Sequence, residues 1–559
     1  MTQRPWLNSY DPGVPHTLDY PDQDIYSFVA AAASRNQDKT AAIFMGKELS
    51  FGEIFAQAER LAGALYAKGV KQGDRVVLLL PNCPQFIIAF FAIQRLGATV
   101  VLANPLNVER ELLFKFQDSG AKALIVLDLL SQRVNNIKDD INLDLIVYTS
   151  LADYLPFPLN LLYPIKRSLD KNMPKVSIER DARTVRFKDL LAQGGQAPQV
   201  EIGTSDMAAL IYSGGTTGVS KGIMLSHKAL VANASQVGAW GQMHPDDKLL
   251  AVLPLFHGFG MSVCMNTPLS KGGTIVLLPR FEARELVKTV DKYKPTLFAG
   301  VPTMFIAIKE LPDIDKYDLT SLRGIFVGAA PMPLAVMEEF SQRTGAELIE
   351  GYGLTEAVTA VACNPFHGAK KPGSIGIPFP DVEWRIMDLS EGDEEMPLGE
   401  TGEIVLRCPE LMNGYLNQPE LTAKTLRDGW LYTGDIGVMD EDGFVTIVDR
   451  KKDLVIVSGF NVFPSEIDEV LHQHPQVAEA VAVGLPHPKK GEYIKAYLVA
   501  KAGQEIDPQE VIAFCKKNLS AYMVPKEVEV RAELPKSMIG KVLRRTLREE
   551  EEKKWAEAG

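Results

Sequence analysis

The chain has 559 residues and a mass of 61.5 kDa, more than one hydrophobic core supports, so we expect at least two domains. Hydrophobic residues make up 46% of the sequence, which excludes general disorder. The formal net charge of -12 offers no basic surface to neutralise nucleic-acid phosphates, and we expect no nucleic-acid partner.

The cysteines and the first residues bear on where the protein works. The five cysteines are widely spaced and include no CxxC pair, so neither a zinc site nor a disulfide framework is predicted. No stretch reaches the roughly 18 uncharged apolar residues of a spanning helix, and no apolar signal core follows Met1. We therefore expect a cytoplasmic protein with reduced thiols.

The first part of the chain alternates between helical and strand-like segments. Helices are predicted from Ser50 to Ala67 and from Pro84 to Leu96, with apolar strands at 75–80 and 98–102. The same alternation returns between 249 and 327. Short β-branched runs between helices are typical of a parallel, doubly wound α/β sheet.

An apolar, proline-rich segment runs from Tyr154 to Arg167, and Lys171 and Lys175 follow it. It has two interpretations, a proline-broken loop packed on the domain surface or a stretch that lies in a membrane interface. Under the second, the protein is peripheral at the inner face of the membrane.

The most informative segment runs from Tyr212 to Gly222, directly after the apolar run Ala208–Ile211. Its glycines allow backbone N–H groups to approach an anion, and its hydroxyls and lysine add donors and charge. It is not a Walker A loop, because Ser220 precedes Lys221 and Gly222 follows it. We predict a loop that binds the polyphosphate of ATP; the alternative is an ordinary Gly/Ser/Thr turn.

A second motif, Gly351 to Glu356, follows later in the chain. It combines a flexible turn, an aromatic ring at Tyr352 that could stack on a base, a hydroxyl at Thr355 and a carboxylate at Glu356. A carboxylate of this kind suits Mg²⁺, the ion that neutralises a triphosphate. By itself the motif is equally consistent with a structural turn.

A third motif covers residues 430–435 and places Asp435 after a turn glycine. There its carboxylate could accept hydrogen bonds from both hydroxyls of a ribose, with Arg450 pairing with the same sugar or a phosphate. The alternatives are a surface turn for Asp435 and a surface salt bridge for Arg450.

From about Gly399 the chain becomes β-rich, up to the charged break Asp449–Asp453. We place the domain boundary there, with one domain at 1–449 and another at 450–559. In the second, helices are predicted at 464–472 and 508–518, with strands at 478–483, 494–500 and 527–530. Near its end, Lys541 follows a glycine in a flexible loop, where a lysine is usually only solvated.

These segments occur in an order that resembles the adenylate-forming enzymes, over about residues 25 to 550, and the chain is similar in particular to acyl-CoA synthetases. The segment Val457–Ile467 resembles the signature of bacterial long-chain fatty-acid CoA ligases. The motifs that carry the resemblance are 212–222, 351–356, 430–435, 449–453 and 535–541.

The resemblance implies a two-step reaction. A fatty-acid carboxylate attacks the α-phosphorus of ATP and pyrophosphate leaves, and the thiolate of CoA then displaces AMP from the acyl adenylate. It also implies a large N-terminal α/β domain, with doubly wound sheets and a small β subdomain, and a smaller mobile α+β C-terminal domain. The co-substrates are ATP with Mg²⁺, and CoA.

The resemblance further assigns roles residue by residue. The implied catalytic residues are Lys541, Glu356, Thr355 and His257. The implied ATP-binding residues are Tyr212, Ser213, Gly214, Gly215, Thr216, Thr217, Gly218, Lys221, Gly328, Ala329, Ala330, Glu350, Gly351, Tyr352, Gly353, Asp435 and Arg450. Mg²⁺ is implied at Glu356 and Thr216, CoA at Ser458, Gly459 and Phe460, and the hinge at Lys452.

His257 matches an aromatic residue that guards the acyl site in this family, although a lone histidine before a glycine is more often a packed turn residue. Gly258, Gly260, Met261 and Val263 are small or apolar, and we expect them to leave room for an aliphatic tail.

Three alternatives remain at this point. An acyl-AMP ligase or an aryl-CoA ligase would share the adenylation step. A catalytically silent nucleotide-binding regulator would perform neither adenylation nor transfer to CoA. The presence of both Glu356 and Lys541 argues against the silent protein. The sequence leaves chain-length preference, the metabolic pathway and the oligomeric state open, a homodimer included.

Overall fold

The computed structural model describes residues 4–170, 173–213, 220–457, 460–487, 491–536 and 542–558. Its backbone contacts divide the chain into two compact units. The large unit comprises Trp6–Glu383 and Arg407–Gly429, and the small unit comprises Met1–Pro5, Trp384–Leu406 and Trp430–Gly559.

Short strands alternate with helices along most of the chain. The strands are β1 (Thr40–Phe44), β2 (Lys47–Ser50), β3 (Arg75–Leu79), β4 (Thr99–Leu102), β5 (Ala123–Leu127), β6 (Leu145–Thr149), β7 (Thr184–Arg186), β8 (Met207–Ser213), β9 (Lys221–Ser226), β10 (Lys248–Ala251), β11 (Thr274–Leu277), β12 (Leu297–Gly300), β13 (Gly324–Val327), β14 (Glu347–Gly353), β15 (Ala360–Cys363), β16 (Ile377–Pro378), β17 (Glu383–Met387), β18 (Thr401–Arg407), β19 (Gly414–Tyr415), β20 (Leu426–Arg427), β21 (Trp430–Met439), β22 (Val445–Arg450), β23 (Val455–Val457), β24 (Phe460–Val462), β25 (Val477–His487), β26 (Gly491–Ala500) and β27 (Glu527–Arg531).

The α-helices are α1 (Ile25–Arg35), α2 (Phe51–Ala67), α3 (Pro84–Arg95), α4 (Glu109–Ser119), α5 (Ser131–Ile137), α6 (Leu159–Leu169), α7 (Phe187–Gln193), α8 (His227–Trp240), α9 (Thr267–Ser270), α10 (Ala283–Tyr293), α11 (Pro302–Lys309), α12 (Leu334–Thr344), α13 (Pro419–Thr425), α14 (Pro464–His472), α15 (Pro508–Asn518) and α16 (Arg544–Ala558). A π-helix covers Gly260–Asn266, and short 3₁₀ turns cover Pro5–Ser9, Asp128–Leu130, Leu151–Tyr154, Ile314–Lys316 and Thr355–Ala357.

Two mainly parallel sheets form the large unit. One has the strand order β16-β15-β14-β13-β12-β10-β11-β1-β2, and the other has β19-β9-β8-β4-β3-β5-β6-β7. In the second sheet the strands from β8 to β7 are all parallel, whereas β9 and β19 are antiparallel to their neighbours. The α/β class with mainly parallel sheets is therefore confirmed.

Helices α2 and α3 show how the sequence fixes local structure. Ser50 begins α2 with a capping box, because its hydroxyl accepts from the Glu53 N–H at 3.1 Å and the Glu53 carboxylate accepts from the Ser50 N–H at 2.7 Å. Helix α3 is mostly apolar and is buried from Pro84 to Gln94, as expected of a helix enclosed in a core. Both helices lie where the sequence predicts them.

Two further sheets are built mainly from residues of the small unit. Strands β17, β18 and β21 are neighbours, with β22 on β21, and the second sheet has the order β24-β23-β26-β25 with β27 parallel to β26. The core cluster around the second sheet is built from residues between Val455 and Val524. Helices α14 and α15 cover the predicted residues 464–472 and 508–518.

The structure of the segment 154–167 contradicts one of the two interpretations of its sequence. The proline-broken loop interpretation of 154–167 is wrong for most of that segment, because α6 runs through it with Pro164 inside the helix. The amphipathic helical pattern overrides the proline, whose missing N–H removes only one helical hydrogen bond.

In the described ranges, no helix is both long and apolar enough to traverse a bilayer. All five cysteines lie in these ranges, and each is a free thiol.

Candidate active site

The base of the predicted phosphate loop is an antiparallel hairpin in the large unit. Strands β8 and β9 pair so that Ser213 lies opposite Lys221 and Tyr212 opposite Gly222. The Ser220 hydroxyl donates to the Ser213 carbonyl at 2.8 Å and closes the hairpin. The loop residues themselves, Gly214, Gly215, Thr216, Thr217 and Gly218, lie outside the described residues.

Tyr212 is engaged on the packed side of this hairpin. Its hydroxyl donates to the Asp118 carboxylate at 2.7 Å, and burial, together with Asp118, raises the pKa of Tyr212. The Lys115 ammonium lies 5.7 Å from the centre of the same ring. These contacts hold the Tyr212 side chain at the end of β8.

Glu356 and Lys221 come together through a residue from a third segment. The Tyr415 hydroxyl donates to Glu356 Oε1 at 2.8 Å, and Lys221 Nζ lies 5.2 Å from the centre of the Tyr415 ring. Burial raises the pKa of Tyr415, and the Glu356 carboxylate adds to this effect. The backbone of β19 places Tyr415 here, because β19 pairs with β9 and Met412 N–H donates to the Glu356 carbonyl at 2.8 Å.

A tight turn follows Glu356. Val358 has φ +63° and ψ -62°, and the Thr359 N–H donates to the Ala357 carbonyl at 2.6 Å, which makes this a γ-turn of the rare positive-φ kind. A β-branched residue in this conformation stores on the order of 1–3 kcal/mol of strain. Backbone strain of this kind is concentrated at active sites and ligand-binding segments.

Two glycines pack against the carbonyls of this turn. A Cβ at Gly353 would lie 1.7 Å from the Thr359 carbonyl oxygen, and a Cβ at Gly258 would lie 2.1 Å from that of Val358. The 351–356 motif and the His257 segment, distant in sequence, therefore meet at the same turn.

The two segments expected to frame the adenine lie at the carboxyl ends of neighbouring parallel strands. Strands β13 and β14 pair Val327 with Glu350, so Gly328, Ala329 and Ala330 lie beside Gly351 and Tyr352. Ala329 has φ +71°, the left-handed conformation that turns the chain. In open α/β sheets this edge is where ligands bind.

Two side chains in this frame are held by the protein. Glu350 is buried and its carboxylate accepts from the backbone N–H groups of Met332 at 2.9 Å and Gly373 at 3.2 Å. Burial raises the pKa of Glu350, and the two N–H donors oppose that rise. The Tyr352 side chain is only 9% exposed, so most of its ring is packed against protein.

His257 precedes the buried π-helix Gly260–Asn266, a helix type often found at functional sites. Its Nδ1 accepts from the Phe259 N–H at 3.2 Å, which leaves the proton of the neutral ring on Nε2. The ring keeps contact with solvent, although the surrounding protein desolvates it and lowers its pKa.

The expected room for an aliphatic tail around His257 is not made by the glycines. Gly258 lies against Val358, a Cβ at Gly260 would lie 2.1 Å from the Pro254 carbonyl oxygen, and Met261 and Val263 are buried. The glycines here allow two backbone segments to pack closely. From the sequence alone, a run of small residues is equally consistent with close packing and with open space.

The small unit holds the residues of the third motif. Asp435 on β21 lies opposite Arg450 on β22, and Arg450 Nε is 3.1 Å from Asp435 Oδ1. Asp435 is 7% exposed and its N–H donates to the Thr433 hydroxyl at 3.0 Å. Arg450 therefore forms a salt bridge, the alternative interpretation of this residue, and its partner is Asp435.

Of the remaining predicted residues of the small unit, two lie in the described ranges. Lys452 lies in the turn 451–453 between β22 and β23. Phe460 begins β24. Ser458, Gly459 and Lys541 lie outside the described residues.

The side chains present fit Mg²⁺ with ATP better than a metal held by protein alone. In the described ranges no group of three or more His, Cys, Asp and Glu side chains is arranged to hold a metal ion. Mg²⁺ is commonly bound by one or two carboxylates together with substrate phosphates. Glu356, oriented through one oxygen by Tyr415, has the chemistry for that arrangement.

Tyr415 and Asp118 were not singled out from the sequence. Tyr415 follows Gly414 in a two-residue strand, and its partners Glu356 and Lys221 come from distant parts of the chain. The only local signal is an aromatic residue directly after an Asn-Gly turn pair.

Comparison with known proteins identifies the family of this chain. The AMP-binding enzyme family matches residues 29–416, and the AMP-binding enzyme C-terminal domain matches residues 466–541. A long-chain-fatty-acid–CoA ligase of Bacillus subtilis (strain 168) is 41% identical over 557 residues, covering 99% of both chains. One from Salmonella typhimurium is 39% identical over 556 residues, covering 98% of both.

Solved structures of the same fold also match. The ATP-bound structure of MatB from Rhodopseudomonas palustris has a TM-score of 0.82 and 29% identity, covering 94% of this chain and 99% of that one. Family, relatives and structure agree over nearly the whole length. The chain belongs to the AMP-binding enzyme family.

Proposed function

We propose that this chain is an AMP-forming CoA ligase for medium- or long-chain fatty acids. The fatty-acid carboxylate attacks the α-phosphorus of ATP and pyrophosphate leaves; the CoA thiolate then displaces AMP from the acyl adenylate. Similarity to the long-chain-fatty-acid–CoA ligases of Bacillus subtilis and Salmonella typhimurium supports the acid and the acceptor. The observation that carries the first step is the grouping of Glu356, Tyr415 and Lys221 at the loop end of the β8–β9 hairpin.

The large unit binds the nucleotide. Ser213 and Lys221, with the loop Gly214–Gly218, hold the β- and γ-phosphates, and Thr355 contacts the α-phosphate. Glu356 and Thr216 hold Mg²⁺, which when bound neutralises phosphate charge. The edge formed by 328–330 and 350–353 frames the adenine, supported by the adjacent ends of β13 and β14. His257 guards the acyl site.

The small unit supplies the ribose site and the moving parts. Asp435, aided by Arg450, binds the ribose hydroxyls, and Lys541 bridges the attacking carboxylate and the α-phosphate. Residues 450–559 form a mobile domain that turns at Lys452 and brings Ser458, Gly459 and Phe460 to CoA. Two facts support this boundary: a short turn joins two sheets, and the described residues in the core of the second sheet all follow that turn.

The protein also binds membrane surfaces through α6. Tyr163 and Arg167 lie on the side of α6 that faces the protein, because Arg167 Nη1 pairs with Asp128 Oδ2 at 2.7 Å and Asp128 acts electrostatically on the Tyr163 hydroxyl. Leu162, Ile165 and Leu169 lie on the opposite side, at helical spacing, and are 51%, 56% and 76% exposed. The apolar stripe of α6 therefore faces solvent.

The charges around this helix favour an anionic lipid surface as its partner. Between residues 159 and 175, apart from Arg167, which pairs with Asp128, the basic residues are Lys166, Lys171 and Lys175, against the single acid Asp170. Phe157, just before the helix, is 79% exposed. An exposed apolar stripe beside basic residues is the composition of helices that lie in the headgroup region, and the proposed substrate dissolves in the same membrane.

The proposed activity is tested with the purified chain, ATP, Mg²⁺, CoA and a panel of acids from acetate to oleate, with benzoate added. We expect AMP, pyrophosphate and acyl-CoA, with the highest kcat/KM for a medium- or long-chain acid. Glu356→Gln is the background control. Formation of ADP, or no product with any acid, would contradict the proposal; a preference for benzoate would favour the aryl-CoA ligase, and acyl-AMP without acyl-CoA the acyl-AMP ligase.

A further inference from the structure

Asp449 is a buried carboxylate directly before the connector that contains Lys452. Its side chain is 1% exposed. Its Oδ2 accepts from the Ser465 N–H at 2.9 Å, and its Oδ1 accepts from the Arg450 N–H at 2.7 Å. A carboxylate so enclosed needs partners that compensate its lost hydration.

The partner at Ser465 is the first turn of α14. This helix begins at Pro464, and its N-cap residue Phe463 has no side chain that can accept a hydrogen bond from the first turn. Asp449 supplies that acceptor from the other side of the connector. A carboxylate also interacts favourably with the positive end of the helix dipole.

Arg544 lies on the other side of Asp449, at the start of α16. Arg544 Nη1 is 3.9 Å from Asp449 Oδ1, and Arg544 Nη2 is 2.5 Å from Asp468 Oδ2. Its Nε donates to the Ala482 carbonyl at 3.2 Å, which fixes the guanidinium against β25. Arg544 follows Lys541 by one short segment, so the same helix start that contacts the connector also follows the proposed catalytic lysine.

A second arginine of α16 holds the connector itself. Arg548 Nη1 donates to the Lys452 carbonyl at 3.4 Å and lies 3.6 Å from Asp453 Oδ1. Arg548 Nε donates to the Gly484 carbonyl at 3.3 Å. Two consecutive turns of α16 thus contact residues on both sides of Lys452.

These contacts divide into two groups when the chain turns at Lys452. Asp453 and Asp468 follow Lys452 and move together with Arg544 and Arg548, so their ion pairs persist. Asp449 precedes Lys452, so any sizeable rotation breaks its hydrogen bond with Ser465 and its ion pair with Arg544. The stability of the cluster therefore depends on the orientation of the connector.

We propose that Asp449 and Arg544 form a latch across the connector that stabilises one of the two orientations of residues 453–559, and that each turnover requires this latch to open. Both are positioning residues that act through the placement of Lys541 and of the 458–460 segment. The inference rests on the two-step reaction and on the hinge at Lys452 proposed above.

The first test measures the connector directly and does not depend on activity. Arg450, Lys451 and Lys452 are sites for trypsin, whose cleavage products there are identified by mass spectrometry. Asp449→Ala and Arg544→Met should increase the cleavage rate at these bonds at least about fivefold, because cleavage follows the population of the opened connector. Arg545→Met is the matched control, since the neighbouring Arg545 pairs with Glu549 on the same helix at 2.5 Å.

The second test separates the latch from a general structural role. The first half-reaction is measured with palmitate and ATP, and the second with synthetic palmitoyl-AMP and CoA. Asp449→Ala should change the ratio of the two rates at least about fivefold, because it removes a preference for one orientation. Asp449→Asn, which keeps an acceptor for the Ser465 N–H, and Arg544→Lys should each give a smaller change.

The outcomes are decisive in either direction. A ratio within about twofold of wild type, at whatever total activity, overturns the latch. Unchanged tryptic cleavage of both variants also overturns it. If wild type performs neither half-reaction, the proposed function fails, and the cleavage rates alone then decide whether the latch exists.

Discussion

At the scale of single residues, the candidate site depends on orientation more than on the presence of charged groups. Glu356 is a carboxylate whose Oε1 is fixed by the Tyr415 hydroxyl, and the Tyr415 ring also lies beside Lys221. One phenol therefore places an acid and a base whose positions in the chain are far apart. Groups that orient a metal-binding carboxylate typically affect metal affinity or activity by about 10- to 100-fold when removed.

Tyr415→Phe tests this role. We expect kcat/KM for Mg·ATP to fall about tenfold and the Mg²⁺ concentration for half-maximal rate to rise, because Glu356 loses its orienting donor. Steady-state kinetics over a Mg²⁺ titration provide the measurement. Tyr20→Phe is the control, since Tyr20 donates to the Asp381 carboxylate at 2.8 Å elsewhere in the large unit. Equal effects of both variants would show that Tyr415 has only a structural role.

Site residues differ in how far sequence reveals them. Ser213, Lys221, Thr355 and Glu356 lie in compact motifs whose residue types match phosphate and magnesium chemistry. Tyr415 has no such motif, because its importance comes from β19 pairing with β9. When strand pairing brings together residues that are far apart in the chain, no local sequence pattern identifies them.

At the scale of secondary-structure elements, α6 departs from the usual rule that a surface helix turns its apolar side inward. Its Arg167 pairs with Asp128 on the protein, whereas its leucines and isoleucine face outward. Exposing contiguous apolar side chains is unfavourable in water, so a partner surface is expected. The hydrophobic pattern revealed an unusual segment in the sequence, but the side that faces the protein follows only from the fold.

The membrane proposal predicts a specific loss. Leu162→Gln/Ile165→Gln/Leu169→Gln keeps good helix-forming ability and should reduce binding to phosphatidylcholine–phosphatidylglycerol vesicles at least about tenfold, since each apolar side chain contributes on the order of 1 kcal/mol at the interface. Cosedimentation with vesicles measures it, and omission of phosphatidylglycerol should weaken wild-type binding.

The control for this experiment removes exposed apolar area elsewhere. Leu106→Gln/Val108→Gln changes two side chains that are 65% and 58% exposed, and it should leave vesicle binding unchanged. If the α6 variant binds vesicles like wild type but changes from dimer to monomer in size-exclusion chromatography, the stripe is a self-association surface instead.

At the scale of the whole molecule, the two proposed reactions share one nucleotide site. In the proposal, Lys541 lies beside the α-phosphate during adenylation and is withdrawn before the CoA thiolate attacks the acyl carbonyl carbon. The periodicity of the sequence predicts both the α/β large unit and the α+β region after 454, because each element has a strong local pattern. It cannot predict which orientation of the connector is favoured, since that depends on bonds such as Asp449 to Ser465.

Lys541→Ala should separate the two reactions. Adenylation, measured as pyrophosphate release from ATP and palmitate, should fall about 100- to 1,000-fold, because a charge aimed at the transition state is lost. Transfer from supplied palmitoyl-AMP to CoA should remain close to wild type. Equal loss of both half-reactions would contradict the alternation of one site between two states.

The turn after Glu356 has a consequence for reading mutational data. Every missense codon at positions 258 and 353 introduces a Cβ, and each such atom would overlap a carbonyl oxygen of Val358 or Thr359. Substitutions at these glycines would therefore be deleterious even in a protein that binds no nucleotide. In a saturation-mutagenesis map, evidence for chemistry at this site must come from Thr355, Glu356 and Tyr415, where smaller or isosteric side chains fit the fold.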